Sequence, residues 1–341
     1  MSQPPAEPLR PPQPGAEAWL GRARSAFAGC RVAVVGDAIL DCYRHADGTS
    51  ACYAGGAAVI AGHLKALGAE PVLVTLTARD GDTAQLLRCL EAMDVGHEAM
   101  PVRAALPTRV REVRGEQIVA RRRLELILPP PAETVGRIAG AVAELRTQLD
   151  AAIFVDFGYG TVTPALLDGL LPTLRPAVKF LAGDVSGPRA SLLSMRRFDL
   201  LTPTEAELRR LTPTPTPATP LHPIAHRLRR ELELSHLLVT RDRHGGVRYD
   251  AEDRSHPFAS AATTVVDEVG AGDALLAAMT LAMTCAASPE AATRFGQWAA
   301  AAALARLGNA PVGWDAIRRA ADQAAHTSPR TPSRVSARPA A

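Results

Sequence analysis

The chain has 341 residues, 47% hydrophobic and 21% charged, enough to bury the core of one α/β domain of ordinary size. Its net charge is only +3, with Lys65 and Lys179 the only lysines, which excludes a nucleic-acid surface built on a strongly basic field. The apolar run 274–287 is too short to span a bilayer, so neither a membrane nor a nucleic acid is an expected partner.

In chain order, residues 1–18 are Pro-rich, lack the basic start and apolar core of a secretory leader, and are expected to form a disordered tail. Residues 31–40 read as a buried strand, with Val32-Ala33-Val34-Val35 running into Gly36-Asp37 and then Asp41. Ala54-Gly55-Gly56-Ala57-Ala58 opens a helical pattern that ends at Leu67-Gly68-Ala69. A strand at 72–76 leads through Asp80-Gly81-Asp82 into a helix at 86–93. Alternation over 108–126, with a turn at Gly115-Glu116, marks a solvent-facing antiparallel pair, and Arg121-Arg122-Arg123 reads as its solvated face. Further apolar strands fall at 152–156, 178–182, 200–202 and 237–240, with a helix at 163–171. The Thr-Pro repeat 212–217 is a surface loop, and the tail 325–341 is expected to be disordered. Continuous apolar strands alternating with helices predict a mostly parallel sheet covered on both faces. Ligands bind beyond the carboxyl ends of such strands, where Gly36-Asp37, Asp156-Phe157-Gly158, Gly183-Asp184, Thr202-Pro203-Thr204 and Thr240-Arg241 gather.

The most informative stretch is Gly270-Ala271-Gly272-Asp273, followed directly by an apolar helix. Small residues let backbone N–H groups converge on an anion, and the helix start adds positive potential at the same point. A carboxylate in that first turn can take the proton of an attacking hydroxyl, which suits phosphoryl transfer. By itself the motif is equally a capped helix start. The five cysteines (Cys30, Cys42, Cys52, Cys89 and Cys285) are odd in number and form no Cys-x-x-Cys pair, so a reduced, cytoplasmic chain is expected. Cys42 and Cys52 then read as small buried hydrophobes.

Early Gly36-Asp37-x-x-x-Asp41 and Gly55-Gly56, combined with late Gly270-Ala271-Gly272-Asp273, resemble the ribokinase-like (PfkB-type) carbohydrate kinases over residues 30–315. Within them the opening Val-Val-Gly-Asp-x-x-x-Asp-x-Tyr is most similar to the D-glycero-beta-D-manno-heptose 7-phosphate kinases. The resemblance implies a three-layer α/β sandwich over residues 19–324, with a small, shortened β lid built from 42–54 and 103–126. It implies Mg2+ and ATP as cofactors and a sugar or sugar phosphate as the small-molecule partner. It assigns Asp273 as the base and Gly270, Ala271 and Gly272 as donors to the transferred phosphate. Asp37, Asp41, Gly55, Gly56, Arg109 and Asp156 fall to the acceptor. Thr204, Glu207, Thr240, Gly245, Gly246, Gly308 and Asn309 fall to the nucleotide, with Gly308-Asn309 beside adenine and Glu207 near the magnesium waters. Asp267 falls to a monovalent-cation site. In relatives the lid also pairs subunits, so a homodimer is the implied assembly.

Several positions depart from that pattern. Asp267-Glu268-Val269 replaces Asp-Thr-Thr, losing two hydroxyls next to the anion loop. Val59 stands where an acceptor-binding asparagine is expected, Thr204 opens the Asn-x-x-Glu signature, and Asp184-Val185-Ser186 lacks the lysine of Asp-Pro-Lys. Arg109 stands where the heptose phosphate kinases carry a lysine, which keeps the charge and changes the contact geometry. The main reading is an active sugar or sugar-phosphate kinase, heptose 7-phosphate 1-kinase-like. A catalytically weak, ligand-binding or regulatory descendant and a kinase for another sugar or a nucleoside stay open. A dehydrogenase fits poorly, because no Gly-x-Gly-x-x-Gly follows the first strand.

Overall fold

The computed structural model describes residues 16–115, 117–125, 130–186, 192–211 and 220–327. Helix α1 (Ala16–Phe27) leads into β1 (Arg31–Gly36), β2 (Ala38–His45) and β3 (Ser50–Gly56), then α2 (Ala57–Ala66), β4 (Glu70–Thr77), α3 (Gly81–Ala92) and β5 (Gly96–Pro101). Next come β6 (Thr108–Arg114), β7 (Gln117–Leu124), α4 (Ala132–Leu145), β8 (Ala151–Asp156), α5 (Pro164–Leu174), β9 (Phe180–Val185), β10 (Leu200–Leu201) and α6 (Glu205–Arg209). The chain continues through α7 (Leu221–Glu231), β11 (His236–Thr240), β12 (Gly246–Asp250), β13 (Ser255–Phe258), α8 (Ala271–Thr284), α9 (Pro289–Leu304) and α10 (Trp314–Thr327).

Nine strands form one sheet in the order β13-β12-β11-β10-β9-β8-β1-β4-β5. Every pairing from β11 to β5 is parallel, and β12 and β13 add an antiparallel edge. Side chains of a strand alternate between faces. Val32 and Val34 accordingly join the core beneath α1, α2, α8, α9 and α10, whereas Ala33 and Val35 join the core beneath α4, α5 and α7. Burial on both faces is the reason β1 reads as an unbroken apolar run, and it makes the three-layer, ribokinase-like α/β sandwich expected from the sequence.

The lid is a second sheet, β3-β2-β6-β7, in which β2 pairs antiparallel with β3 and parallel with β6. Residues 31–40 are therefore two strands, not one. The chain leaves the large sheet at Asp37, whose N–H donates to Val155 O at 3.1 Å, and Ala38 N–H then donates to Thr75 Oγ1 at 3.1 Å. At both ends the ordered elements run past the expected domain limits. Helix α1 starts at Ala16 and buries Trp19 against Phe295 and Trp298, and α10 continues to Thr327. The expected tails beyond those points and the Thr-Pro loop 212–217 lie outside the described residues. A second correction concerns sulfur: Cys42 and Cys52 are directly opposed on β2 and β3 and are joined as a disulfide, not two separate thiols.

Candidate active site

At the carboxyl end of β9, Asp184 lies within electrostatic reach of Asp273 in the first turn of α8. Gly270, at φ +79°, turns the chain into that helix, and no side chain caps it. The first N–H groups of the helix, at Ala271, Gly272 and Asp273, thus lack an intrahelical acceptor, an arrangement that can receive an anion. A Cβ at Gly270 would lie 2.1 Å from Asn309 Oδ1, so close packing as well as φ requires glycine there. Asp273 sits in this first turn. Burial pushes its carboxyl up to about 7, with repulsion from Asp41 adding to the rise and the Arg109 guanidinium opposing it. Asp41 and Arg109 thus lie within electrostatic reach of Asp273.

A second raised carboxyl lies close by, at a residue the sequence reading left out of the site. Asp184, at the end of β9, is pushed well above the ordinary carboxylate range by burial first, then by Asp273, Glu207 and Asp156, while the Thr202 hydroxyl at 3.2 Å opposes the shift. The clue in the sequence was its place directly after a strand, in Gly183-Asp184. Asp156 accepts from Gly158 N–H at 2.8 Å. Four carboxyls in one neighbourhood repel one another, a situation a divalent cation relieves. Among the described residues, however, no three acidic, His or Cys groups are arranged to hold a metal ion directly.

On the acceptor side, the two early aspartates are already engaged. Asp37 is fully buried; Oδ1 accepts from Arg103 Nη2 at 2.8 Å and Thr161 N–H at 3.0 Å, and Oδ2 from Tyr159 N–H at 2.9 Å and Phe157 N–H at 3.1 Å. Four donors fill the four acceptor positions of a carboxylate, so Asp37 fixes the turn after β8 and has no oxygen free for a sugar hydroxyl. Asp41 is also buried, with Arg111 Nη1 at 2.7 Å on Oδ1 and Asn309 Nδ2 at 3.0 Å on Oδ2. Its Oδ2 packs over Gly55, where a Cβ would approach to 2.3 Å. Gly56, at φ +58°, would place a Cβ 2.4 Å from Asp37 O. Arg109 stands opposite Asp41 in the β2–β6 register and lies 5.0 Å over the Phe157 ring, with its buried Nε lacking a protein partner. Arg103 and Arg111, which sequence reasoning missed, thus neutralise the two carboxylates it had selected.

Asp267, Gly308 and Asn309 join the start of α8 to the lid. Asp267 Oδ2 accepts from Tyr43 Oη at 2.6 Å and Gly308 N–H at 3.2 Å, and Oδ1 accepts from Val269 N–H at 3.2 Å. These three donors take up part of the acceptor capacity of the Asp267 carboxylate. Tyr43 lies on lid strand β2, so this contact latches the lid to the anion loop. Asn309 is buried between Asp41, Ala54 O and Gly270. Tyr53 closes over Gly308, where a Cβ would meet its ring at 2.7 Å.

The remaining nucleotide candidates share one edge. Thr204 and Thr240 bridge the ends of β10 and β11, and Gly245-Gly246 opens β12 against Phe258. Thr204 and Glu207 form a capping box on α6: Thr204 N–H donates to Glu207 Oε2 at 2.8 Å, and Glu207 N–H donates to Thr204 Oγ1 at 3.2 Å. One Glu207 oxygen is therefore committed to the helix start.

Residues 182–314 match the family described as pfkB family carbohydrate kinase. Among curated relatives it is 29% identical over 326 residues to the bifunctional protein HldE of Halorhodospira halophila, covering 89% of this chain and 64% of that one. It is 25% identical over 312 residues to the HldE of Azorhizobium caulinodans, covering 86% and 65%. The chain thus spans less than two thirds of the length of these relatives. Among solved structures, phosphofructokinase-2 from Escherichia coli in complex with potassium superposes with a TM-score of 0.72 at 17% identity, covering 87% of this chain and 99% of that one. Arabidopsis thaliana ribokinase complexed with ribose and ATP superposes with a TM-score of 0.68 at 18% identity, covering 86% and 98%. At these identities the superpositions establish the fold.

Proposed function

We propose that this chain transfers the terminal phosphate of ATP to a hydroxyl of a sugar or sugar phosphate, with Asp273 as general base. The observation that carries the proposal is the Asp273 carboxyl, held at about 7 in the first turn of α8 beside the N–H groups of the anion loop. A base poised near working pH is in part deprotonated before reaction and can take the acceptor proton as the oxygen–phosphorus bond forms and ADP leaves. The Ala271, Gly272 and Asp273 N–H groups stabilise the charge spread over the transferred group. Magnesium, when bound with the donor, would neutralise phosphate charge. Asp184 and the free oxygen of Glu207 suit its water shell, because their mutual repulsion favours a cation between them. Thr204, Thr240, Gly245 and Gly246 border the nucleotide in this reading.

Likeness to HldE supports a heptose 7-phosphate acceptor, and Arg109, with a buried Nε awaiting a partner, supports an anionic one. A second reading, a catalytically weak ligand-binding descendant, draws on the capture of Asp37 by Arg103 and of Asp41 by Arg111. A coupled ADP-release assay against heptose 7-phosphate, hexose phosphates, pentoses and nucleosides separates them. Acceptor-dependent release supports the kinase, and ATP binding without release from any acceptor supports the second reading.

A further inference from the structure

Helix α8 connects two ends of the molecule. Its start carries Asp273, and its C-cap is Cys285, about 20 Å away at 1.5 Å per residue. There, at the amino ends of β1, β8 and β9, a cleft of 1020 Å³ is lined by Cys30, Cys285, Asp150, Lys179, Arg22 and Ser25 among others. Cys30 and Cys285 are both free thiols and lie within hydrogen-bonding reach of each other. Neither the lid disulfide nor the proposed transfer uses them. We propose that Cys30 and Cys285 form a second, redox-active site, a dithiol that low-molecular-weight disulfides of the glutathione class oxidise to an intramolecular disulfide.

The two sulfurs differ in ways that set the order of steps. Cys30 is buried at 7% exposure, whereas Cys285 is half-buried at the cleft wall with its thiol on Ala26 O at 3.3 Å. The neighbouring Cys30 thiol lowers the Cys285 thiol below its ordinary range, and Lys179 favours the same thiolate; burial and the nearby Asp150 oppose. The carboxyl end of α8 also disfavours negative charge there, so the Cys30 contact and Lys179 supply the bias. Cys30 itself is raised by the same contact and by burial, which keeps it a thiol until Cys285 has reacted. The Cys285 thiolate attacks one sulfur of the incoming disulfide, forming a mixed disulfide and releasing one small thiol. Cys30 then attacks Cys285 Sγ, its proton leaving with the second small thiol. Two thiols are oxidised and one external disulfide is reduced.

The test uses the full chain equilibrated in buffers of rising oxidised-to-reduced glutathione ratio, then alkylated and peptide-mapped by mass spectrometry. The expected result is a cross-linked pair of peptides carrying Cys30 and Cys285, reversed by excess reduced glutathione. Cys30→Ser is expected to trap a glutathione adduct on Cys285, at least about 10-fold above any adduct on Cys30 in Cys285→Ser. Two outcomes overturn the proposal: both thiols stay open to alkylation at the most oxidising ratio, or the unmodified sequence holds a lasting Cys285 adduct with no cross-link. The cross-link map needs no variant, so a poorly folding substitution does not decide the result.

Discussion

Replacing Asp273 by Asn should raise stability above neutral pH while removing turnover, two effects in opposite directions from one group. Its carboxyl stands at about 7 in the fold against 3.8 for an unperturbed aspartate. Between those values the native state holds a proton the unfolded chain has lost, so the Asp273 contribution to stability falls as pH rises through the window and is fully unfavourable above about 7. At 1.36 kcal/mol per pKa unit the ceiling is about 4 kcal/mol. Asp273 is partly open to solvent, which reduces the expected gain for Asn to about 1–2 kcal/mol at pH 8. That corresponds to roughly 1.5–3 °C in Tm for about 310 residues at about 2.1 cal/mol/K each. Calorimetry of both proteins at pH 4 and pH 8 reads the difference directly, and the gain should vanish at pH 4. Turnover of the variant should fall at least about 100-fold with nucleotide affinity little changed. A variant less stable than the parent at pH 8, or equally shifted at both pH values, would refute the account of a desolvated carboxyl.

Three other perturbations follow from named contacts. Tyr43→Phe removes the 2.6 Å bond to Asp267 and should cost about 1–2 kcal/mol by chemical denaturation, with a fall in kcat larger than any change in KM for nucleotide. Arg103→Leu leaves the buried Asp37 carboxylate short of its cation and should cost about 3–5 kcal/mol; a loss below 1 kcal/mol would show the pair to be dispensable. Reducing Cys42–Cys52, which closes a loop of sequence separation 10, should lower stability by about 2–3 kcal/mol, measured as a Tm drop that Cys42→Ser/Cys52→Ser reproduces without reductant.

Much of the fold was legible because both faces of the sheet are covered. Val32 to Val35 needs apolar residues throughout, and strands with that requirement announce themselves. The turn into α8 was legible for a local reason: at φ +79° and packed against Asn309, position 270 requires glycine. The Thr204–Glu207 capping box was equally local; spacing shared with a nucleotide signature drew the reading toward ligand chemistry. What escaped depends on long-range closure. Arg103 reaches Asp37 across 66 positions and Arg111 reaches Asp41 across 70, while Asn309 reaches Asp41 across 268. A lone aspartate at a strand end looks the same in sequence whether it waits for a sugar or already holds an arginine. The disulfide was hidden because a hairpin register, and not a spacing motif, brings Cys42 opposite Cys52.

Asp273 is proposed to take the proton of the acceptor hydroxyl as the ATP γ-phosphate is transferred to that oxygen. Phosphorus NMR of ATP, Mg2+ and heptose 7-phosphate or another phosphorylated sugar, followed with the unmodified chain and with Asp273→Asn, tests it most directly. The account predicts a new acceptor phosphate resonance growing as the ATP γ-phosphate signal declines, and neither change in the variant. Bound ATP whose γ-phosphate stays intact with every acceptor, or equal transfer by the variant, would contradict it.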